Sequence, residues 1–309
     1  MKYPGDRVHL KNLSLPQLEA FVTSQGGKPF RARQLAQWLY SRGARSFTEM
    51  TNLAGTFRNI LEEKAWISFL EPAEVQTSRD GTRKYRFLLH DGEGIESVLL
   101  PEKDHYTLCL STQVGCALGC RFCLTGKRGL VRNLDPSEIL DQIIGVRATL
   151  PPEGKLTNLV FMGMGEPLEN FQNVLGALEV IRSPLGLQFS NRRVTLSTAG
   201  IIPRMVELFS RPHFVQLALS LNAATDDQRS ELMPINRKYP LADLLAVCRQ
   251  LPLASREKIT FEYVLIKGVN DSEEDALRVA RLLRGIPAKI NLIPFNRHPQ
   301  SPYQRPEDG

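Results

Sequence analysis

Between Thr107 and Asn296, short apolar runs alternate with longer amphipathic stretches, and this alternation limits the fold of the 309-residue chain more than any other feature. The runs Thr107–Ser111, Asn158–Met162, Arg193–Ser197, Val215–Leu221, Ile259–Leu265 and Lys289–Ile293 read as strands. Asp135–Thr149, Asn170–Arg182, Ile202–Phe209, Leu241–Leu251 and Ser272–Arg284 read as helices between them. Strands that return to parallel neighbours through helices build a parallel sheet or a partial barrel. The expected fold class is therefore α/β, a partial (β/α)6 barrel, in which chemistry gathers at the C-terminal ends of the strands. That rule points at Cys116–Cys123, Gly163–Glu166, Ser197–Gly200, Ser220–Asn222 and Pro294–Asn296.

Residues 1–72 read as a small helical domain instead. Ser14 and Gln17 make a capping box ahead of the apolar face Leu15, Leu18, Phe21 and Val22, and Gly26-Gly27 ends that helix. A second helix is expected over Arg31–Ser41, burying Leu35, Trp38 and Leu39. This quarter of the chain holds ten Lys/Arg against six acids, most of the net charge of +6. Arg31, Arg33, Arg42 and Arg45 are interleaved with Phe30, Trp38, Tyr40 and Phe47. That pattern suits either an RNA-facing surface or a solvated polar face over an aromatic core. Residues 73–105 form a β extension with turn signals at Asp80-Gly81 and Asp91-Gly92, and 106–309 form the barrel domain. The N-terminus has no apolar signal region and no eighteen-residue apolar run occurs, so the expected location is cytoplasmic, away from membranes.

Five cysteines, four of them within fifteen positions, make a poor disulfide framework. Cys116, Cys120 and Cys123 form C-x3-C-x2-C directly after the first core strand. Three thiolates on one tight loop can hold three irons of a [4Fe–4S] cube and leave the fourth iron open. An open iron can chelate the amino and carboxylate groups of S-adenosylmethionine (SAM) and pass an electron into its sulfonium. Gly115 and Gly119 permit the tight loop, and Phe122 can lie against the adenine. A structural zinc site is the rival reading, with Cys109 or His105 completing the set, although its usual paired C-x2-C knuckles are absent. Gly163-Met-Gly-Glu-Pro167 reads as an edge whose carbonyls and Glu166 meet the SAM ammonium. Cys248 repeats with Leu241, Leu244, Leu245 and Leu251 at helical spacing and reads as core. On local sequence alone, Cys109 is a strand cysteine and Glu96 a surface acid.

The run Thr107–Cys123, with Arg132-Asn-Leu134, Met162–Pro167, Leu196-Ser-Thr-Ala-Gly200, Pro234-Ile-Asn236 and Asn291–Asn296, resembles the RlmN/Cfr family of radical SAM RNA methyltransferases over essentially the whole chain. The resemblance is closest to the dual-specificity branch that methylates C2 of adenine. It implies a [4Fe–4S] cluster, SAM, large-subunit rRNA and tRNA as substrates, a reductase or flavodoxin-type electron donor, and a monomer. It implies methylation of an adenine in 23S rRNA and one beside the tRNA anticodon, through a methyl-cysteine and a covalent protein–RNA intermediate. Cys109 is then the resolving cysteine and Glu96 the proton acceptor. SAM contacts fall on Phe122, Gly165, Glu166, Ser197, Ser220, Leu221, Asn222 and Asn296, with Asn222 standing where the family often has His. In the family the methyl-bearing cysteine follows the stretch that resembles Pro302-Tyr303, and the sequence reaches Gly309 without it. The alternative expectation is a catalytically incomplete RNA-binding protein that keeps the cluster and SAM pocket.

Overall fold

The structure, a computed structural model, describes residues 5–211, 215–254 and 256–307. Residues 1–4 and 308–309, the outer ends of the expected domains, lie outside the described residues. The helices, in chain order, are α1 (Leu15–Ser24), α2 (Phe30–Ala36), α3 (Gly55–Lys64), α4 (Leu124–Arg128), α5 (Pro136–Arg147), α6 (Phe171–Arg182), α7 (Ile202–Phe209), α8 (Asp226–Leu232), α9 (Leu241–Gln250) and α10 (Glu273–Leu282). The longer strands are β1 (Pro72–Thr77), β2 (Arg83–Leu88), β3 (Gly94–Pro101), β4 (Tyr106–Cys109), β5 (Leu156–Phe161), β6 (Val194–Thr198), β7 (Gln216–Ser220), β8 (Ile259–Leu265) and β9 (Ala288–Pro294). Two compact units form: Met1–Val114 with Asn133–Gly163 and Asn170–Arg193, and Gly115–Arg132 with Met164–Glu169 and Val194–Gly309.

In the first unit the strand order is β5-β4-β3-β2-β1. The meander from β1 to β4 is antiparallel, and β4 pairs with β5 in parallel. Gly81 and Gly92 take positive φ in the two hairpin turns, as the Asp-Gly signals require. At the N-terminal end, the Gln17 amide donates to the Ser14 hydroxyl (3.4 Å) and the Ser14 amide to Gln17 Oε1 (2.8 Å), so the expected capping box caps α1. The second expected helix is not one α-helix. After Ala36 it widens into a π-turn over Gln37–Ser41, closed by the Arg42 amide on the Gln37 carbonyl at 3.0 Å. The wider turn leaves Trp38 half-buried rather than in the core, while Leu35, Leu39 and Tyr40 are buried. The indole N–H reaches Asn52 Oδ1 at 2.5 Å, and Arg42 lies 4.2 Å over the ring. Beneath these helices a fully buried ion pair, Lys11–Asp141 (2.5 Å), ties the N-terminal segment to α5.

In the second unit the order is β9-β8-β7-β6, all parallel. Leu196, Leu217, Leu219, Ile259 and Phe261 face its core, and Cys248 on α9 is buried beside Leu244 and Leu245, as its spacing predicted. All six expected core strands are present. Among the described residues no helix is long and apolar enough to cross a membrane.

Candidate active site

The second unit places most of the expected site residues at strand ends. Gly115, at φ +79°, opens the cysteine loop; a Cβ there would fall 1.8 Å from the Gly129 carbonyl oxygen. The Cys116 amide donates to that same carbonyl (3.0 Å), and the Cys123 amide closes a turn on the Cys120 carbonyl (3.1 Å). The next residue begins α4, so all three cysteines sit on a loop closed at both ends. Their thiols form no disulfide.

Among the described residues no three His, Cys, Asp or Glu side chains converge on one ion-sized point. In a [4Fe–4S] cube each thiolate binds its own iron at a separate corner. Three free thiols on one loop suit such a cube. Burial, then the nearby Glu166 and Cys123, pushes the Cys116 thiol up to about 11. Burial, then Cys123 and Cys116, pushes Cys120 up to about 12. A cationic iron centre is what such crowded sulfurs need in order to ionise.

Glu166 is buried next to the positive-φ Gly165. It accepts the Leu168 amide at 3.0 Å and the Ala199 amide at 2.8 Å. Burial raises its carboxyl to about 7 even against these two hydrogen bonds. Ser197 and Ser220 are half-buried at the ends of β6 and β7, Leu221 is buried, and Asn296 is exposed after β9. Phe122 and Cys120 pack against an apolar cluster of Ala199, Ala223, Leu232, Met233, Ile266 and Phe295.

Asn222 follows the end of β7 and is buried. Its φ is +58°, which Asn tolerates better than most residues. Its Oδ1 accepts the Val264 amide (2.8 Å), and its Nδ2 points to Met233 Sδ (3.2 Å). Both ends of the amide are thus engaged inside the protein, and the side chain ties the end of β7 to β8.

Sequence reasoning missed the residue that organises these ends. Arg229 on α8 is fully buried. Its Nε donates to Leu221 O (3.1 Å), its Nη2 to Ala199 O (2.8 Å) and Ser220 O (3.1 Å), and its Nη1 to Asn236 Oδ1 (2.9 Å). The available signal was Thr225-x-x-Gln228, whose hydroxyl caps α8.

Glu96 and Cys109 belong to the first unit. The register pairs Val98 with Cys109, which puts Glu96, two residues before Val98, on the same sheet face as Cys109. Glu96 pairs with Lys84 at 3.2 Å, and its carbonyl accepts the Ser111 hydroxyl at 2.5 Å. Burial pushes the Cys109 thiol up to about 12.

Residues 110–280 match the radical SAM superfamily, and residues 8–67 match the ribosomal RNA large subunit methyltransferase N-terminal domain. The dual-specificity RNA methyltransferase RlmN of Geotalea uraniireducens is 53% identical over 301 residues, covering 97% of this chain and 86% of the relative. The protein of the same name from Geobacter sulfurreducens is 54% identical over 97% of this chain and 82% of its own length. A radical SAM methyltransferase from Sphaerobacter thermophilus superposes with a TM-score of 0.91 at 41% identity, covering 97% of this chain and 89% of that one. The cysteine loop thus sits in a radical SAM fold, whose cofactors are a [4Fe–4S] cluster and SAM. With family matches over residues 8–67 and 110–280 and about half its residues shared with relatives of which it covers more than four-fifths, this chain belongs to the RlmN family of radical SAM RNA methyltransferases.

Proposed function

We propose that this protein methylates C2 of an adenine in large-subunit rRNA and of an adenine beside the tRNA anticodon, with Cys116, Cys120 and Cys123 holding the cluster. The names of the relatives support RNA as substrate. The observation that carries the site reading is a single loop presenting three free cysteines beside the buried Glu166 edge. When bound, the cluster and SAM supply one-electron chemistry able to functionalise a carbon that is neither nucleophilic nor acidic.

The chain's own groups then have defined tasks. Gly165 and Glu166 face the SAM ammonium; a carboxyl raised to about 7 ionises more readily once a cation stands beside it. Ser197, Ser220, the Leu221 backbone and Asn296 meet the nucleoside and the amino-acid portion. Phe122 packs beside the adenine, and Asn222 contributes to the SAM pocket at the end of β7. Cys109 resolves a covalent protein–RNA intermediate, and Glu96 accepts a proton. Because burial keeps the Cys109 thiol protonated at neutral pH, its attack requires prior proton removal. The helical N-terminal segment contacts RNA, a reductase or flavodoxin-type protein supplies the electron, and the enzyme works as a cytoplasmic monomer. Anaerobic purification tests the site reading: about four irons per chain are expected, and Ala at Cys116, Cys120 or Cys123 should remove both the iron and the reductive cleavage of SAM. Stoichiometric zinc in place of iron would overturn it.

A further inference from the structure

We propose that Arg229 is a positioning residue that locks the nucleoside-facing strand ends at Ala199, Ser220 and Leu221 to the cysteine loop through α8; this rests on the site reading above. A guanidinium carries five N–H donors in one plane, and here that fork spans the carbonyls of two neighbouring strand ends plus Asn236. No carboxylate hydrogen-bonds to Arg229 among the described residues. Burying a charge whose hydrogen-bond partners are all neutral is costly, even with Asp226 acting on it electrostatically. The arrangement is therefore better explained by what the fork holds in place than by stability.

The far end of α8 grips the cysteine loop. The Arg121 amide donates to the Leu232 carbonyl at 2.9 Å, and Arg121 Nη1 meets Glu231 at 3.1 Å. Leu232 and Met233 also belong to the apolar cluster that Cys120 and Phe122 pack against. The near end is fixed in turn: Asn236 Nδ2 donates to Asp226 Oδ1 (2.8 Å), which also accepts the Leu241 amide (2.8 Å). One short helix thus sets the spacing between the loop that carries the metal and the strand ends that face the nucleoside. Its buried cation also acts electrostatically on Cys120. A positive charge close to a cluster favours the reduced state.

The test uses the anaerobically purified holoprotein and three readouts: iron content, SAM dissociation constant by equilibrium dialysis, and cluster potential by an EPR-monitored redox titration. Arg229→Lys keeps the charge but loses the planar fork. It should bind SAM about tenfold more weakly, the equivalent of one lost charge-assisted hydrogen bond, with iron content and potential unchanged. Arg229→Gln should weaken SAM similarly and shift the potential to more negative values. Asn236→Ala removes one acceptor of the fork, should weaken SAM a few-fold at unchanged potential, and decides the matter if the Arg229 variants do not fold. Wild-type SAM affinity in Arg229→Lys and Asn236→Ala, or SAM loss that only parallels iron loss, would overturn the positioning role. A wild-type protein without iron would overturn the site reading itself, a distinguishable failure.

Discussion

Glu166 Oε2 accepts the amide of Ala199 at 2.8 Å, which joins the Met164–Glu169 segment to the end of β6. Its other oxygen holds the Leu168 amide. A buried carboxylate serving two backbone donors cannot be replaced by an amide without facing one N–H with another. Glu166→Gln should therefore lower stability by about 1–3 kcal/mol and abolish measurable SAM binding. Urea denaturation and equilibrium dialysis check both parts, and wild-type SAM binding would remove Glu166 from the pocket.

Gly115 is the position least able to carry a side chain. Its φ of +79° and the 1.8 Å approach of the Gly129 oxygen to a would-be Cβ both forbid one. Gly115→Ala should break the Cys116–Gly129 hydrogen bond and leave reconstituted protein deficient in iron. Gly119→Ala, with φ +63° but open space around the Cβ, should lose far less. Iron per chain after parallel reconstitution compares the two.

His9 builds a pH dependence into the first unit. The Ser68 amide donates to its Nε2 at 3.1 Å, so that nitrogen must be unprotonated, and the ring stacks on Trp66 at 3.9 Å. Burial, then the charge of Lys11, lowers its pKa to about 4. The unfolded chain takes up this proton near pH 6.5 and the folded chain only near 4. Stability is therefore full above about pH 6.5 and falls as pH drops through that window, by at most about 3 kcal/mol. Urea midpoints between pH 4.5 and 7.5 should show the slope in the wild type and a flatter profile in His9→Gln.

The basic N-terminal residues divide into two groups. Arg45 is ion-paired with Glu71 and stacks on Phe69, whereas Arg31, Arg33 and Arg42 have no carboxylate partner among the described residues. Arg42 and Arg31 place their guanidinium carbons over the Trp38 and Phe57 rings, at 4.2 and 5.4 Å from the centroids. Replacing Arg31, Arg33 and Arg42 by Gln should weaken RNA binding and lower the log–log salt slope by about 0.7–0.9 per lost phosphate contact. Arg45→Gln should change it less. An unchanged slope in the triple variant would leave these residues a solvated face.

The barrel strands were legible because period and composition agree there: every run from Thr107 to Ile293 that reads as a strand is one, and Cys248 is core as its spacing says. What failed depends on where a side chain points. Trp38 keeps helical spacing, yet a π-turn rotates it off the core, and no local preference marks such a turn. The contacts of the Asn222 amide with Val264 and Met233 come from residues 42 and 11 positions away, beyond any local pattern. Arg229 reads as an ordinary charge on a short polar helix; its burial comes from carbonyls on strands eight to thirty residues away in sequence.

Adenine methylation by this protein is read out by nucleoside mass spectrometry of rRNA and tRNA from source cells with the gene deleted, then complemented with wild-type or Cys120→Ala protein. 2-Methyladenosine should vanish from both RNAs on deletion, return with the wild type, and stay absent with Cys120→Ala. Its persistence after deletion, or its return with Cys120→Ala, would contradict the account.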